Sequence, residues 1–389
     1  MLAWIAPLVV LGLVVFVHEL GHFVAAKIVG VYAPRFSLGW GKPIWRWRRP
    51  GSETEYVISA LPVGGYVRMA SRDDETASAL EGGNETPKPG AEHDEHWDPA
   101  AMMPHGPLPV PANRWFESKR AWQRVFVLLS GVTMNAVLTI IVSTGIFVSY
   151  GRTYVPAVVD TVVAGKPAQL AGLQKGDSIV ALNGAPVRMW NDLLTTVGGS
   201  AGTPLRIEVR RGAERVTIVV TPEAQSAADP FTGKTERVGK IGAGPANRLA
   251  RQPMTLGESV VAGWRATWAM AGSVLGVLGG LVHGTVSVST LGGPIAIART
   301  SVAAAKTGLE SLLALIAFLS INLAVLNLLP IPILDGGQVL LTLAEAVKGS
   351  AFSDRTRENL MRVGLAVIAL LFVVVMFNDL KGLVLSLFG

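Results

Sequence analysis

The residues best suited to chemistry in this sequence form one short run, His18-Glu19-Leu20-Gly21-His22. Side chains four positions apart project from one face of a helix, so both imidazoles can reach a single Zn²⁺ ion. Glu19 follows the first histidine and is suited to act as general base on water that the metal activates. The alternative is a helix end at a membrane interface, where water merely solvates these polar side chains.

A third metal ligand is expected in the segment Asn327-Leu-Leu-Pro-Ile-Pro-Ile-Leu-Asp335-Gly-Gly337. Catalytic zinc sites use three protein ligands and keep a fourth position open, and Asp335 offers the missing carboxylate. Pro330 and Pro332 break a helix. We therefore expect Asp335 on irregular backbone at membrane depth, buried in protein or lining a wet cavity. Taken alone, Asp335 would be interpreted as a turn residue in Leu-Asp-Gly-Gly.

The segments that carry both motifs are apolar enough to lie in a membrane. Of 389 residues, 50% are hydrophobic and 16% are charged, whereas soluble domains carry about 25% charged residues. The sequence has no cysteine, which excludes thiolate nucleophiles, disulfides and iron–sulfur clusters. Glycines and an arginine interrupt the apolar run at 260–282, which favours an interfacial helix. About four transmembrane helices are expected, at 2–26, 125–150, 309–329 and 363–388.

The charges next to these spans predict the orientation of the chain. Lysines and arginines cluster between spans one and two, and again between spans three and four, which places both loops in the cytoplasm. Both termini and the segment 151–308 then face the outside of the cell's inner or plasma membrane, and the two motifs lie near its cytoplasmic side. The net charge of +6 has the same origin, so no nucleic-acid partner is expected.

Two segments between the first two spans differ in character. Residues 35–69 alternate in the manner of β-strands, and three tryptophans among their arginines suit a membrane interface. This pattern predicts a hairpin-like β element against or within the bilayer. Residues 73–113 are rich in Asp, Glu, Gly and Pro, which predicts a disordered loop. Three histidines in that loop leave a secondary metal site open as an alternative.

The outer segment resembles a bacterial PDZ domain over Lys166–Val187, which reads KPAQLAGLQKGDSIVALNGAPV. Its Gly-Asp and Asn-Gly pairs are turn signals, and the following PLRIEVRRGAERVTIVVT predicts two alternating strands. PDZ domains bind an extended peptide by adding a strand to their sheet. The alternative is a small β domain without a ligand. The resemblance makes three residues candidates for substrate binding, Ala171, Gly172 and Leu173.

Together the two motifs resemble the site-2 protease family of intramembrane zinc metalloproteases. That family pairs His-Glu-x-x-His in the first span with Asn-x-x-Pro-x-Pro-x-Leu-Asp-Gly-Gly in a later one. The resemblance covers nearly the whole chain except the acidic loop, and the PDZ-like insertion narrows it to the bacterial regulator-of-sigma-E protease group. It implies that His18, His22 and Asp335 bind zinc. It also implies that Glu19 is the catalytic base and that Asn327 assists substrate or transition-state binding.

The same resemblance marks further candidates for substrate binding. Gly64 and Gly65 lie in the family-like segment Pro62-Val-Gly-Gly-Tyr-Val67. Asn135 matches the last residue of a family Gly-Pro-x-x-Asn motif. This chain departs from that motif, because it reads Gly131-Val-Thr-Met-Asn135 with valine in place of proline.

The expected fold is an α-helical polytopic membrane protein with a membrane-associated β element and an inserted PDZ-like, β-rich domain. The expected segments follow the features described above. They are the first span with the His-Glu motif (1–30), the β element (31–72), the disordered cytoplasmic loop (73–118), the second span (119–150), the PDZ-like domain (151–245), an interfacial helical segment (246–308), the third span with the Asp motif (309–345), and a cytoplasmic loop with the fourth span (346–389).

The resemblance implies regulated intramembrane proteolysis, in which zinc and a water molecule hydrolyse peptide bonds in or near transmembrane segments. Expected substrates are single-pass membrane proteins, such as anti-sigma factors or remnant signal peptides, which an upstream site-1-type protease first trims. Two other classes remain open: a metal transporter that uses the same ligands, and an inactive scaffold that binds protein tails through its PDZ-like domain.

Overall fold

The computed structural model describes residues 2–50, 52–71, 111–228, 235–246 and 248–388. The predicted disordered loop 73–118 and its three histidines lie outside these residues, except for 111–118. The expectation of disorder is wrong for that last part, which forms two short 3₁₀ helices at Ala112–Arg114 and Phe116–Ser118. The chain forms two compact units. The first comprises Met1–Thr144, Ala262–Leu275 and Ser287–Gly389, and the second comprises Gly145–Val261 and Gly276–Val286.

The helices in the described ranges are α1 (Ala6–Ile28), α2 (Ala121–Tyr150), α3 (Pro167–Leu170), α4 (Trp190–Gly198), α5 (Leu256–Val282), α6 (Pro294–Thr307), α7 (Leu309–Asn327), α8 (Asp335–Lys348) and α9 (Asp354–Phe388). The strands are β1 (Arg35–Arg48), β2 (Glu55–Arg68), β3 (Arg152–Tyr154), β4 (Val159–Val162), β5 (Ser178–Leu182), β6 (Ala185–Pro186), β7 (Leu205–Arg211), β8 (Glu214–Val220), β9 (Glu223–Ala228), β10 (Thr235–Lys240), β11 (Ala243–Pro245) and β12 (Ala250–Gln252).

Five helices among the described residues are long and apolar enough to cross a bilayer, judged by length and composition: α1, α2, α5, α7 and α9. The chain is therefore a multi-pass membrane protein. Four of these helices lie where the sequence predicts spans. The fifth, α5, is a continuous helix of 27 residues where we expected an interfacial segment. Thr255 and Glu258 form a capping box at its start, which explains why the helix begins there.

In the first unit, α1 packs against both α2 and α7. Val10 and Val14 of α1 are buried with Ile316 of α7, and Leu138 and Val142 of α2 pack against them. The helices α1 and α2 approach closely at Gly21. A Cβ atom there would overlap the backbone oxygen of Ser130. Small residues permit such close packing between membrane helices, so Gly21 helps to set the distance between α1 and α2.

The predicted β element is present, with a pairing more complex than a hairpin. The first part of β1 pairs with both ends of β2, since Phe36 is opposite both Tyr56 and Val67, whereas Trp47 pairs back with Tyr56. Gly39 and Gly41 adopt positive φ angles where β1 changes partner, a conformation that glycine adopts readily. The segments therefore lie in the order 43–48, 55–59, 35–38 and 65–68, with 65–68 at one edge.

The second unit is rich in β-structure. Its four-stranded sheet has the order β6-β5-β7-β8, and the predicted strand pair is confirmed as the antiparallel pair β7–β8. Helix α4 covers this sheet, and Leu193 is buried with Ile179 and Ile207. Strand β3 pairs with β12, so the two ends of the unit meet. The β-structure thus continues to Gln252, beyond the expected boundary at residue 245.

The predicted Gly176-Asp177 turn is held by a partly buried ion pair between Asp177 and Arg211. The Asp177 carboxylate is fully buried and accepts hydrogen bonds from Arg211 Nε and Nη2 at 2.8 Å, and from the Gln174 N–H at 2.8 Å. Burial alone would raise the pKa of this carboxyl group. The hydrogen bonds from Arg211 and Gln174 outweigh burial and hold the pKa of Asp177 below its ordinary value. The turn is therefore tied to the end of β7.

Candidate metal centre

Two imidazoles and one carboxylate converge inside the first unit. His18 and His22 are buried on α1, and their Nε2 atoms lie 3.2 Å apart. Asp335 Oδ2 lies 3.3 Å from His18 Nε2 and 3.4 Å from His22 Nε2. Within the described part of the chain, these three residues are the only group of at least three His, Cys, Asp or Glu side chains whose ligand atoms come close enough to share a metal ion.

The chain turns sharply to bring Asp335 to the histidines. Helix α7 ends at Asn327, as the two prolines predict, and residues 328–334 form an irregular turn. The expectation that Asp335 itself lies on irregular backbone is wrong, because Asp335 is the first residue of α8. A Cβ at Gly336 would overlap the Leu328 carbonyl, and one at Gly337 would overlap that of Ile331. These two glycines therefore let the start of α8 pack on the turn.

The spacing of the three atoms fits a tetrahedral zinc ion. Zinc binds imidazole nitrogen and carboxylate oxygen at about 2.0–2.2 Å, so two ligands of a tetrahedral site lie about 3.3–3.5 Å apart. The three observed separations run from 3.2 to 3.4 Å. Asp335 Oδ2 is also buried without a hydrogen-bond partner, as expected for a ligand atom reserved for a cation. The donor set and its geometry therefore suit zinc.

The backbone of α2 fixes the His22 imidazole on the side that faces away from Asp335. His22 Nδ1 lies 2.8 Å from the Val127 carbonyl oxygen. Because a carbonyl can only accept, Nδ1 carries the proton, and the Nε2 lone pair faces Asp335. Hydrogen bonds of this kind orient metal-binding histidines in many proteins.

Three other predicted residues also lie at this centre. Asn327 Nδ2 is 3.1 Å from His18 Nε2. Glu19 is half-buried, and a Cβ at Gly65 would lie 3.6 Å from its Cγ, which places the edge segment of β2 beside Glu19. Gly64, the residue before Gly65, contacts a different side chain. It has a φ of 84°, and Trp40 packs against it.

Asn135 is also brought to the centre, in a position that the sequence did not indicate. Its side chain is completely buried, and its Nδ2 lies 3.5 Å from His18 Nδ1. Asn135 thus contacts the nitrogen of His18 that faces away from Asp335.

The PDZ-like candidates Ala171, Gly172 and Leu173 belong to the second unit. Gly172 accepts a hydrogen bond from Arg211, and Leu173 is part of the hydrophobic core. A cavity of about 340 Å³ in this unit lies elsewhere, between α4 and the segment Gly239–Ala243.

Sequence reasoning missed one buried face of α2, of which the first three residues contact the histidines. Residues four apart along this helix are buried: Val127, Gly131, Asn135, Thr139 and Ser143. Four of these five are small or polar, within a helix whose other residues are mostly apolar. Small and polar residues at this spacing indicate a helix face turned toward a polar site, so the sequence did contain this information.

A membrane protein with two histidines, a carboxylate and an adjacent glutamate in one polar centre has the organisation of an intramembrane metalloprotease. Comparison with known proteins agrees. Residues 6–371 match the sequence family described as peptidase family M50. The chain is 32% identical to the zinc metalloprotease RasP of Bacillus licheniformis, over 98% of this chain and 99% of the relative. It is 30% identical to RasP of Geobacillus kaustophilus and 31% identical to the metalloprotease MmpA of Caulobacter vibrioides, over 97% of this chain in each case.

The chain therefore belongs to peptidase family M50, the site-2 type of intramembrane zinc metalloprotease. This confirms the family, the enzyme class and the zinc cofactor that the paired motifs implied.

Proposed function

We propose that His18, His22 and Asp335 hold the catalytic zinc of this peptidase and that Glu19 is its general base. The observation that carries the proposal is the set of three ligand atoms spaced 3.2–3.4 Å apart. The chemistry that zinc supplies in such a site is Lewis acidity, which lowers the pKa of water to about 7 and polarises a peptide carbonyl. Glu19 accepts the proton of the attacking water and passes it to the leaving amine.

Asn327 serves the same reaction as a donor. Its Nδ2 group points into the centre from the end of α7. In that position it donates a hydrogen bond to the carbonyl oxygen of the scissile peptide as negative charge develops there. A preorganised donor of this kind typically contributes about 100- to 1000-fold to rate.

Replacing Glu19 by glutamine tests the proposal. Glu19→Gln keeps the size of the side chain and removes its basicity, so cleavage of a single-pass substrate in detergent should fall at least about 100-fold. Zinc content, measured on the same samples, should match that of the wild type. His18→Ala is the opposite control and should lose zinc. A mutant that cleaves normally, or a His18→Ala protein that keeps its zinc, would contradict the assignment.

Two rival functions account less well for the site. A metal transporter needs further ligands along a polar path, and Asp379 of α9 is the obvious candidate. Its carboxylate instead accepts three backbone hydrogen bonds, from Gly293, Ile295 and Ala296. An inactive scaffold has no use for Glu19 beside a metal centre. Wild-type cleavage that depends on both zinc and Glu19 separates all three functions.

The edge segment of β2 is proposed to receive the substrate. A transmembrane helix hides its carbonyls in its own hydrogen bonds, so it must unwind before cleavage. Residues 65–68 lie at the sheet edge, beside Glu19, and an extended peptide can pair with this edge. Gly64 and Gly65 lie where the peptide would approach the edge. Val67→Pro, which removes a backbone donor that faces away from β1, should impair cleavage and leave zinc in place, whereas Val67→Ile should not. Unchanged cleavage by the proline variant would contradict substrate pairing at this edge.

The second unit is proposed to be PDZ-like and to act as a size filter that admits only substrates already trimmed outside. Strands β3 and β12 pair, so deleting 152–252 rejoins Gly151 and Pro253 where the chain ends already meet. The deletion should permit cleavage of an untrimmed substrate. If the untrimmed substrate stays intact, the filter loses its support.

If the unit instead binds peptide, its cavity is the natural groove. Leu194→Glu at the cavity should then alter cleavage, while Leu170→Glu, outside the cavity lining, should not.

The proposed substrates are single-pass membrane proteins, in particular anti-sigma factors and remnant signal peptides, cut after an upstream site-1-type protease. In the proposed orientation, the termini and the second unit face outside the inner or plasma membrane, and the centre lies near the cytoplasmic side. Both proposals rest on the motif resemblance and on the distribution of lysine and arginine between the spans.

A further inference from the structure

One stripe of α2 forms a wall behind the two histidines. Val127, Gly131 and Asn135 lie four residues apart and are all buried. Val127 holds His22 through its carbonyl oxygen. Gly131 lies directly against both rings, because a Cβ there would overlap His22 Nε2 and lie 2.8 Å from His18 Cε1. The remaining position, Asn135, faces Nδ1 of His18.

The hydrogen bonding of Asn135 is incomplete as the amide is oriented. Its Oδ1 atom is buried without a partner, while its Nδ2 faces His18 Nδ1 at 3.5 Å. If His18 binds zinc through Nε2, its Nδ1 carries a proton, so two donors would face each other. A half-turn of the amide exchanges oxygen and nitrogen with almost no change in shape. It pairs the orphaned oxygen with the His18 Nδ1–H.

The backbone of Asn135 is fixed from two sides. Its carbonyl oxygen accepts from Ser320 Oγ of α7 at 2.9 Å and from Thr139 Oγ1 of its own helix at 2.9 Å. The α7 helix also ends in Asn327, which contacts the other nitrogen of the His18 ring. Asn135 is therefore anchored to the element that frames the site and is completely enclosed, so the protein itself shields it from a substrate.

We propose that Asn135 is a positioning residue for zinc: its amide oxygen accepts the hydrogen bond of His18 Nδ1–H and directs Nε2 at the metal. The role mirrors that of the Val127 carbonyl behind His22, so each metal-binding imidazole has one acceptor on α2. This inference rests on the proposed zinc ligands. It replaces the substrate-binding role that the motif resemblance suggested for Asn135.

Two substitutions separate these roles, because aspartate keeps the acceptor and loses the donor. Zinc affinity is measured by competition with a chromophoric chelator on full-length protein in detergent. Asn135→Leu should weaken zinc binding about 10- to 100-fold, the usual effect of removing a hydrogen-bond partner of a metal-binding histidine. Asn135→Asp should stay within about threefold of the wild type, because carboxylates fill this role in many zinc sites.

A matched control distinguishes weaker zinc binding from a loss of the folded structure. Ser143→Ala lies two turns from Asn135 along the same buried stripe, about 12 Å along the helix, so its zinc affinity should equal that of the wild type. Thermal unfolding in detergent is followed for all variants. In the presence of chelator, Asn135→Leu should unfold at the same temperature as Ser143→Ala. Equal unfolding temperatures together with weaker zinc binding support a role of Asn135 at the metal.

The outcomes are distinct. If Asn135→Leu and Asn135→Asp both keep wild-type zinc affinity while cleavage is lost, Asn135 acts on substrate and the inference is overturned. If both lose zinc equally, the oxygen acceptor is irrelevant and the inference is again wrong. If His18→Ala retains zinc, the proposed ligand set fails first, independently of Asn135.

Discussion

At the scale of single residues, Gly131 shows how tightly α2 is fitted to the metal centre. A methyl group at this position would overlap His22 Nε2, the atom that faces Asp335. The neighbouring rings cannot retreat, because His22 is held by Val127 and His18 lies against Asn135. A side chain of any size therefore displaces the imidazoles themselves.

Gly131→Ala should consequently reduce zinc affinity at least about 10-fold, because overpacking forces neighbouring side chains out of place. Zinc content after dialysis against a weak chelator is the measurement. Gly145→Ala is the matched control, since Gly145 lies on the same helix and nothing lies within 4 Å of the added methyl group. Zinc retention by both variants would contradict a close fit of α2 against the histidines.

At the scale of elements, a buried charge cluster joins α2, α8 and the start of α9. Glu345 near the end of α8 is buried and accepts a hydrogen bond from Arg124 of α2 at 3.0 Å. Arg357 of α9 forms a second ion pair with Glu345 at 3.1 Å, and the Phe352 N–H donates to the same carboxylate. Because α8 begins with Asp335, this cluster fixes the helix that carries the third proposed ligand.

The cluster predicts unequal effects for its members. Glu345→Gln leaves two arginines without their carboxylate and should destabilise the protein by about 3–5 kcal/mol, as expected for breaking a buried ion pair. Arg124→Gln should cost less, because Glu345 keeps Arg357 and the Phe352 N–H. Glu358→Gln, which breaks the exposed pair with Arg362, should change stability by less than about 1 kcal/mol. Thermal unfolding in detergent ranks the three, and equal losses at Glu345 and Glu358 would refute this account.

At the scale of the whole molecule, the number of crossings determines which residues share a side of the membrane. Four crossings place both termini on one side, whereas a fifth crossing through α5 places them on opposite sides. The distribution of lysine and arginine favours four, with α5 at the interface.

Single-cysteine labelling distinguishes these arrangements cleanly, because the natural sequence has no cysteine. With four crossings, a membrane-impermeant maleimide applied to intact cells should label Ala185→Cys and Thr307→Cys. It should reach Ser353→Cys only after the membrane is permeabilised. With five crossings, Thr307→Cys would instead be protected and Ser353→Cys would be labelled. All three positions are exposed, so the difference reports the side of the membrane.

The features that could be predicted from the sequence are those set by short spacing. Four-residue spacing placed His18 and His22 on one helix face, and runs of apolar residues located four of the candidate spans. Two prolines correctly ended α7, and paired motifs identified the family and its zinc. Local spacing also predicted β-structure at 35–69, but it indicated a hairpin and missed the order of the paired segments.

The support of the metal centre emerged only from the tertiary structure. The contacts of Val127 with His22, of Asn135 with His18 and of Arg124 with Glu345 join residues 105, 117 and 221 positions apart. No local pattern encodes such pairs, because they arise when whole helices pack and bring distant faces together. Hydrophobic periodicity determines which elements form and which residues can be ligands. Helix packing decides which backbone carbonyl, amide or glycine lies behind each ligand and therefore where its nitrogen points.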